Sequence, residues 1–578
     1  MAFQVSPGVE IKEIDATNVV PAVSTTIGGF AGAFNWGPAD QVKLISSENG
    51  LVEEFGKPDN NTFKHFFVAA SFLKYGNALK VVRTVGSDAK NAVADGTSTT
   101  LIQNEEVYDN NYANGSLNEG HWVARYPGVL GNSIKVGLIT AGVSNFSTIE
   151  YLTGHKYSDI FDAVPGTSEY GEGLGLNSLN DELHVVVLDE DGGISGTPGT
   201  VLESYAFLSQ ASDAKKSDGT TNFYKEVINS NSEWIFWADH STSLSEAGSA
   251  ANAVGGSFTI STSAIEDSLG GGVDDNDGAS GGGGSAAKIV SGLDLLSDSE
   301  TVDVSLLFAA PDANGANTIA AKLIAVAGAR KDCMAFISPP IEDTVGESDP
   351  VTQLVAYSGA LQSSSYAAMD SGALYIYDKY NDVFRYIGGA GHQAGLCANA
   401  AQVADAWFSP AGFNRGNLVQ VTKLAFNPNK AQRDELYKAN INPIVSLPGQ
   451  GTVLFGDKTL LKRPSAFDRI NVRRLFIVLE KAIATAAKSQ LFEFNDEFTR
   501  AQFRNLVEPF LRDVKGRRGL TDFLVVCDTT NNTGQVIDSN RFVADIFIKP
   551  SRSINFITLN FIATRTGVEF SEVAGSSG

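Results

Sequence analysis

Residues 301–340, TVDVSLLFAAPDANGANTIAAKLIAVAGARKDCMAFISPP, read as strand, helix and strand in succession. TVDVSLLFAAP carries a strand-length apolar run. In NTIAAKLIAVAGAR, Ile319, Leu323, Val326 and the neighbouring alanines recur at helical spacing, and CMAFISPP is again a short apolar run, stopped by prolines. A strand, a crossover helix and a second strand form the unit of a parallel sheet, so this region is α/β.

The same pattern stands near the N-terminus. TIGGFAGAF (26–34) is a strand, a helix opens after a serine cap at Ser46, FGKPDNNT is a loop, a second helix runs from about Phe63 to Tyr75 and closes at Gly76, and LKVVRTV is a buried strand. Between Gly86 and about Glu300 the pattern changes. HWVARY, SIKVGLIT, ELHVVVLDE and EWIFWA are β-like pieces separated by Gly, Ser, Asn and Asp clusters, which marks an inserted domain. Its later GGVDDNDGASGGGGS has nothing to pack and is expected to be a mobile surface loop.

Further along, ALYIYDKY and VFRYIG form a hairpin and GHQAGLCANAAQVADAWFSP a helix. DRINVRRLFIVLEKAIATAAKS is a helix with Val472, Leu475, Leu479 and Ile483 on one stripe and Arg473, Arg474, Glu480, Lys481 and Lys488 opposite. DEFTRAQFRNLVEPFLRDV is a second helix, expected to end or bend near Pro509, followed by the basic turn VKGRRG and the strands DFLVVCD, RFVADIFIKP and SINFITLNFIATR. Both ends carry short alternating segments, SPGVEIKEID and TGVEFSEVAGSSG, that find no local partner and read as arms. The fold class is therefore a multi-domain α+β chain with an α/β core from N- and C-terminal parts, an inserted β-rich domain and extended terminal strand arms. The divisions fall at 1–24 (arm), 25–86 (core), 87–300 (insertion), 301–460 (core), 461–565 (C-terminal domain) and 566–578 (arm). At 578 residues the chain exceeds one core, and about three to four domains are expected.

The net charge of -23 excludes a protein that coats nucleic acid, which needs a basic surface. Residues 91–300 hold 30 acidic and 7 basic side chains, whereas residues 463–518 hold 12 basic and 7 acidic. The first region suits solvent; the second suits an acidic neighbour. Cys333, Cys397 and Cys527 stand too far apart in sequence for a zinc knuckle or a disulfide framework, and the opening MAFQVSPGVEIKE lacks the features of a signal peptide. No apolar run approaches the roughly 18 residues of a membrane span.

Catalytic signatures fail one by one. GTVLFGDKT (451–459) places Asp457 where a phosphate-binding loop needs its lysine, GASGG (278–282) matches a nucleophile elbow without a strand or helix around it, and GEGLGL (171–176) lacks dinucleotide-loop spacing. His65, His121, His155, His184, His240 and His392 include no metal-binding pair, and DDNDG puts Val273 and Gly284 where a calcium loop requires oxygen ligands. No enzyme activity and no cofactor are expected.

An ordered set of strings resembles the tail sheath family of contractile bacteriophages. They are SPGVEIKE (6–13), GGFAGAFNWGPAD (28–40), FGKP (55–58), LKYGNALKVVR (73–83), YPGVLGNSIKV (126–136), FSPAGFNRG (408–416) and GQGTVLFGDKTLLKRPSAFDRINVRRLFIVLEKAI (449–483). The resemblance implies a structural subunit that polymerises as stacked hexameric rings around a tail tube and contracts to drive the tube through the host envelope during genome delivery. It implies insertions projecting outward, and arms that donate strands to neighbouring copies through Val9, Glu10, Ile11 and Lys12 and through Val568, Glu569 and Phe570. Partners would be other copies, the tail tube protein, and the baseplate and tail terminator proteins, without direct nucleic-acid contact or membrane insertion. The place would be the virion tail, assembled in the bacterial cytoplasm. The basic excess makes Arg473, Arg474, Arg500, Arg504, Arg512, Lys515, Arg517 and Arg518 candidates to face the tube. Gly86–Trp122 is too short for the additional outer barrel of longer family members. The sheath of a phage-derived bacteriocin or a secretion-type injection system is the alternative.

Overall fold

The computed structural model describes residues 24–115, 117, 119–240, 253–258, 260–313 and 315–555. The arm residues Val9, Glu10, Ile11, Lys12, Val568, Glu569 and Phe570 lie outside the described residues. The chain forms two compact units, Met1–Phe492 and Glu493–Gly578.

The first unit is organised by a seven-stranded sheet of β1 (Gly28–Ala33), β2 (Val42–Ile45), β3 (Leu79–Thr84), β4 (Leu306–Ala309), β5 (Met334–Ile337), β6 (Ala367–Asp370) and β7 (Ile441–Asn442). Their order is β7-β6-β5-β4-β1-β3-β2, parallel throughout except that β2 runs antiparallel to β3. Central β1 sets Gly28 beside Leu79 on one side and Leu306 on the other, so strands on either side of the insertion share one sheet. Helices α1 (Glu48–Phe55), α2 (Phe63–Leu73), α3 (Ala286–Asp294), α4 (Thr318–Arg330), α5 (Pro350–Ala360) and α6 (Ala390–Val403) accompany it. Strand alternation sorts the side chains. Phe30, Val81, Phe308 and Phe336 join a core with Phe66, Phe72 and Ala394, while Ala31, Val82, Leu307 and Ala335 join another with Leu293, Leu323 and Leu354. A sheet covered on both faces needs nearly continuous apolar strands, and each fully buried Phe contributes about 2–3 kcal/mol. A Cβ at Gly391 would lie 2.0 Å from the Val68 carbonyl oxygen, so glycine is what lets α6 approach α2.

Within the insertion, strands Ile265–Ser268, Ile134–Thr140, Glu182–Asp189 and Thr200–Ser209 form an antiparallel sheet in that order, and Trp122–Ala124 pairs with Ile235–Trp237. Trp122, Val136, Val185 and Trp237 give this region a core of its own.

The glycine-rich stretch expected to be mobile is instead fastened at the junction of insertion and core. The Asp275 carbonyl accepts from the amides of Gly86 and Gly283, Thr84 Oγ1 donates to the Gly283 carbonyl at 2.7 Å, and Asp274 Oδ1 accepts from the Val129 amide at 2.7 Å. Asn276, 2% exposed, donates to Asn35 Oδ1 at 2.6 Å and accepts from Asn61 Nδ2. A Cβ on Gly283 would meet the Thr84 carbonyl oxygen at 2.5 Å, so the glycine serves a close backbone approach. Beside it, buried Arg83 donates to the carbonyls of Phe34, Gly37 and Pro127 at 3.1, 2.6 and 2.7 Å, joining core to insertion.

Helix α7 (Ile470–Ala487), grouped from sequence with the C-terminal domain, belongs to the first unit, where Ile470 and Ile477 enter the sheet's core. The second unit contains α8 (Glu497–Gly516), β8 (Leu520–Val526) and β9 (Asp545–Pro550). Asp496 caps α8, accepting from the Thr499 amide at 2.8 Å. The helix continues through Pro509 rather than ending there. Pro509 and Asn505 are both exposed, so the carbonyl that the missing N–H would have bonded lies on the solvent side.

Candidate assembly surface

The sequence places eight basic side chains as candidates for one outward face, and the structure divides them. Arg473 is 5% exposed, its guanidinium held between the rings of Tyr366 and Phe467 at 4.1 and 4.0 Å, with Nη2 donating to Ser365 Oγ at 2.9 Å. Arg474 is 4% exposed; Nη1 donates to the Cys397 carbonyl at 2.7 Å and Nη2 to the Thr25 carbonyl at 3.2 Å. Burial holds both guanidinium pKa values below the usual range. Arg500 is buried as well, donating to the Asn495 carbonyl and to Asn495 Oδ1. The assignment of these three to an external partner is thereby corrected, because their side chains are buried within the chain. Arg504 is half-buried. Arg512, Lys515, Arg517 and Arg518 are exposed around the C-terminal end of α8, with Lys515 paired to Asp522 at 3.1 Å and Arg517 to Asp513 at 3.5 Å.

Next to this basic end lies a two-stranded sheet. Helix α8 is buried through Phe503, Leu506, Val507, Leu511 and Val514, and packs on β8, where Leu520 and Val525 are also buried. Strands β8 and β9 run antiparallel with Leu524 opposite Phe547 and Phe523 opposite Ile548. Leu524 and Phe547 are 58% and 59% exposed, an uncovered cross-strand pair. Among the described residues β8 and β9 pair only with each other, so no described strand occupies the outer edge of either. Phe494 and Phe498, four residues apart at the start of α8, are 83% and 75% exposed. The sequence reads DFLVVCD and RFVADIFIKP as strands, but a single strand does not tell which face stays uncovered.

The motifs weighed for chemistry are occupied structurally. In the phosphate-loop-like stretch, Asp457 is buried and paired with Arg469 at 3.3 Å, while Lys458 Nζ donates to the Tyr437 carbonyl at 2.6 Å. Burial pushes the Cys333 thiol up to about 12 and the Cys397 thiol up to about 11, which makes them poor nucleophiles. Among the described residues no group of three or more His, Cys, Asp or Glu could hold a metal, and no helix is long and apolar enough to cross a membrane.

Three family models match the chain: the tail sheath protein Gp18 domain III N-terminal region over residues 25–84, the phage tail sheath protein central domain over 282–460 and the phage tail sheath C-terminal domain over 462–564. The tail sheath proteins of Vibrio phage KVP40 and Enterobacteria phage T4 are each 34% identical, over 99% of this chain and 99% of theirs. That of Salmonella phage ViI is 31% identical, over 100% of this chain and 99% of its own. The fold is similar to the crystal structure of a sheath tail protein from Listeria innocua, with TM-score 0.52 and 11% identity over 92% of this chain and 96% of that one. It is also similar to the helical sheath of the anti-feeding prophage in its contracted state, with TM-score 0.50 and 13% identity over 97% of this chain and 100% of that one.

Proposed function

The chain belongs to the phage tail sheath family, and from that premise we propose that it is the subunit of a contractile sheath whose copies are joined by strands added to the β8–β9 sheet. The observation that carries this reading is that, among the described residues, no strand occupies either outer edge of that sheet. A two-stranded sheet is marginal alone and gains most from a third or fourth strand. The terminal segments around Val9–Lys12 and Val568–Phe570 have the alternation of such strands. From Asn555 to Gly567 the chain extends by at most about 40 Å, against a radius of gyration of about 25 Å for a subunit of 578 residues, so an arm can reach past its own subunit.

At about 0.5–1.5 kcal/mol per net hydrogen bond, four to six bonds give a few kcal/mol per arm. Repetition over a lattice makes the mesh strong, and head-to-tail contacts extend along an axis without closing. Copies form hexameric rings stacked around a tail tube, with the acidic insertion of residues 87–300 projecting outward and Arg512, Lys515, Arg517 and Arg518 turned to the tube. The extended lattice is kinetically trapped; on triggering, subunits move outward as bodies while the arm strands stay paired, and the shortened sheath drives the tube through the host envelope during genome delivery. The tube protein, baseplate and tail terminator are the further partners, and assembly takes place in the bacterial cytoplasm before the sheath becomes part of the virion. Phage relatives matching over the whole chain favour a phage tail over a bacteriocin or secretion-type sheath.

Negative-stain electron microscopy of the purified protein with tail tubes tests the reading, comparing the full chain with one lacking residues 1–14. The full chain is expected to form sheaths and the shortened chain to stay soluble and unassembled. Normal assembly and contraction of the shortened chain would overturn the proposal.

A further inference from the structure

Arg474, Ile477, Val478 and Lys481 recur at helical spacing on α7 and share one of its faces. Together with Ser24 and Thr25, which lead into β1, and Ser305, which leads into β4, they line a small cavity with room for about one water-sized body. Part of its wall is cationic and hydroxylic, and Ile477 and Val478 make the rest aliphatic.

Arg474 is the group here whose charge the fold leaves unbalanced. Its Nη1 and Nη2 each donate to a carbonyl, of Cys397 and of Thr25, and carbonyls satisfy donors without cancelling a charge. Buried Arg83 has the carboxylates of Asp274 and Asp40 nearby, and Arg473 has two aromatic faces with Glu480 in reach. Among the described residues Arg474 has neither a carboxylate nor a ring. The one titratable group that acts on it is the Cys397 thiol, which burial keeps protonated. A buried cation without a counter-charge is costly. Lys481, at the far end of the same helix face, is already paired with Asp303 and adds little net charge. Two carbonyl oxygens that would repel an anion are occupied, that of Ser24 by Ser305 Oγ at 2.9 Å and that of Thr25 by Arg474 Nη2 at 3.2 Å.

We infer that this cavity binds a single monatomic anion of the chloride class, held by the remaining N–H groups of Arg474 against the aliphatic wall of Ile477 and Val478. Sulfate, phosphate and carboxylates are too large for the space of one water. The anion neutralises Arg474 and firms the tie between α7 and the segment entering β1, so binding adds to the stability of the first unit.

Melting of the full-length protein in rising chloride, with gluconate holding the ionic strength constant, tests this. A saturable rise is expected, about 1–2 °C at ten times the half-saturating concentration, and bromide should reproduce it. Val478→Met, which puts a longer side chain into the space, and Arg474→Gln, which removes the charge, are each expected to melt alike in chloride and in gluconate. Crystals of the parent soaked in bromide are expected to show an anomalous scattering peak between Arg474 and Val478. An absent rise, a rise that either variant keeps, or a bromide-soaked crystal without that peak would overturn the inference. Should a variant fail to fold, the peak in the parent decides alone.

Discussion

Arg474 donates to the backbone carbonyl of Thr25 at 3.2 Å, joining residues 449 positions apart, while its other terminal nitrogen holds the Cys397 carbonyl. This arginine ties α7 to the start of the described chain and to α6. Arg474→Ala leaves two carbonyls without their donor and empties buried space, and is expected to cost about 3 kcal/mol in urea unfolding. Arg512→Ala, on the exposed face of α8, is expected to stay within about 0.5 kcal/mol of the parent. Equal effects of the two would contradict the buried role.

Arg83 makes the corresponding tie between core and insertion through Phe34, Gly37 and Pro127. Burial lowers its guanidinium pKa to about 10, still charged at neutral pH. Arg83→Lys supplies a point donor in place of a fork, so carbonyls placed for a fork lose partners. A loss of about 2–4 kcal/mol is expected, with faster proteolysis in residues 274–284 because the same junction holds that loop. An unchanged digestion pattern would count against the junction as the source of the loop's order.

The contrast between this loop and the sheet around it shows what could be read from the chain. Ile319, Leu323 and Val326 recur at helical spacing and all three are buried on α4; Ser47, one residue after the serine assigned from sequence, caps α1 by accepting from the Gly50 amide at 3.0 Å. These are local signals. The order of residues 270–285 comes from partners at 35, 61, 84, 86 and 129, which composition does not register. Arg473 and Arg474 misled for the same reason: charge stands in for exposure only until a distant ring or carbonyl is brought alongside. At the assembly surface the strands were legible, but the uncovered Leu524–Phe547 face depends on where α8 packs.

Acid should weaken the first unit. Burial lowers His65 to about 4 and His392 to about 3, so both stay neutral when folded although unfolded histidine titrates near 6.5. As pH falls from about 6.5 to 4, unfolding takes up two protons at these sites and stability is lost. Asp370 opposes this, since burial raises it to about 7 and the folded chain already holds its proton there. The three groups together leave one proton net, a slope of roughly 1 kcal/mol per pH unit. His392→Gln is expected to remove one proton's worth of slope relative to the parent in urea titrations between pH 4 and 6.5. An identical slope would show that His392 does not resist protonation in the fold.

The exposed basic end of α8 should act on partners and not on stability. Arg512→Glu with Arg518→Glu is expected to leave melting unchanged and to weaken co-sedimentation with tail tubes, more at low salt than at high salt. Binding that is unchanged across salt concentrations would remove these residues from the tube contact.

The open face of the β8–β9 sheet separates a seam from an ordinary exposed patch. Leu524 and Phe547 are more than half exposed in the single chain, so Leu524→Asp with Phe547→Asp forfeits little burial there, and a cost below about 1 kcal/mol is expected. If strands from other copies complete this sheet, their apolar residues extend the face on which these two stand, and carboxylates in their place would be desolvated at every joint of the lattice. The double variant should therefore melt with the parent yet form no sheaths on tail tubes under conditions where the parent grows them. Sheaths of normal length from this variant would place the joint between copies elsewhere on the chain. Loss of folding in the second unit, read as early proteolysis after residue 493, would show that the pair is covered within the single subunit.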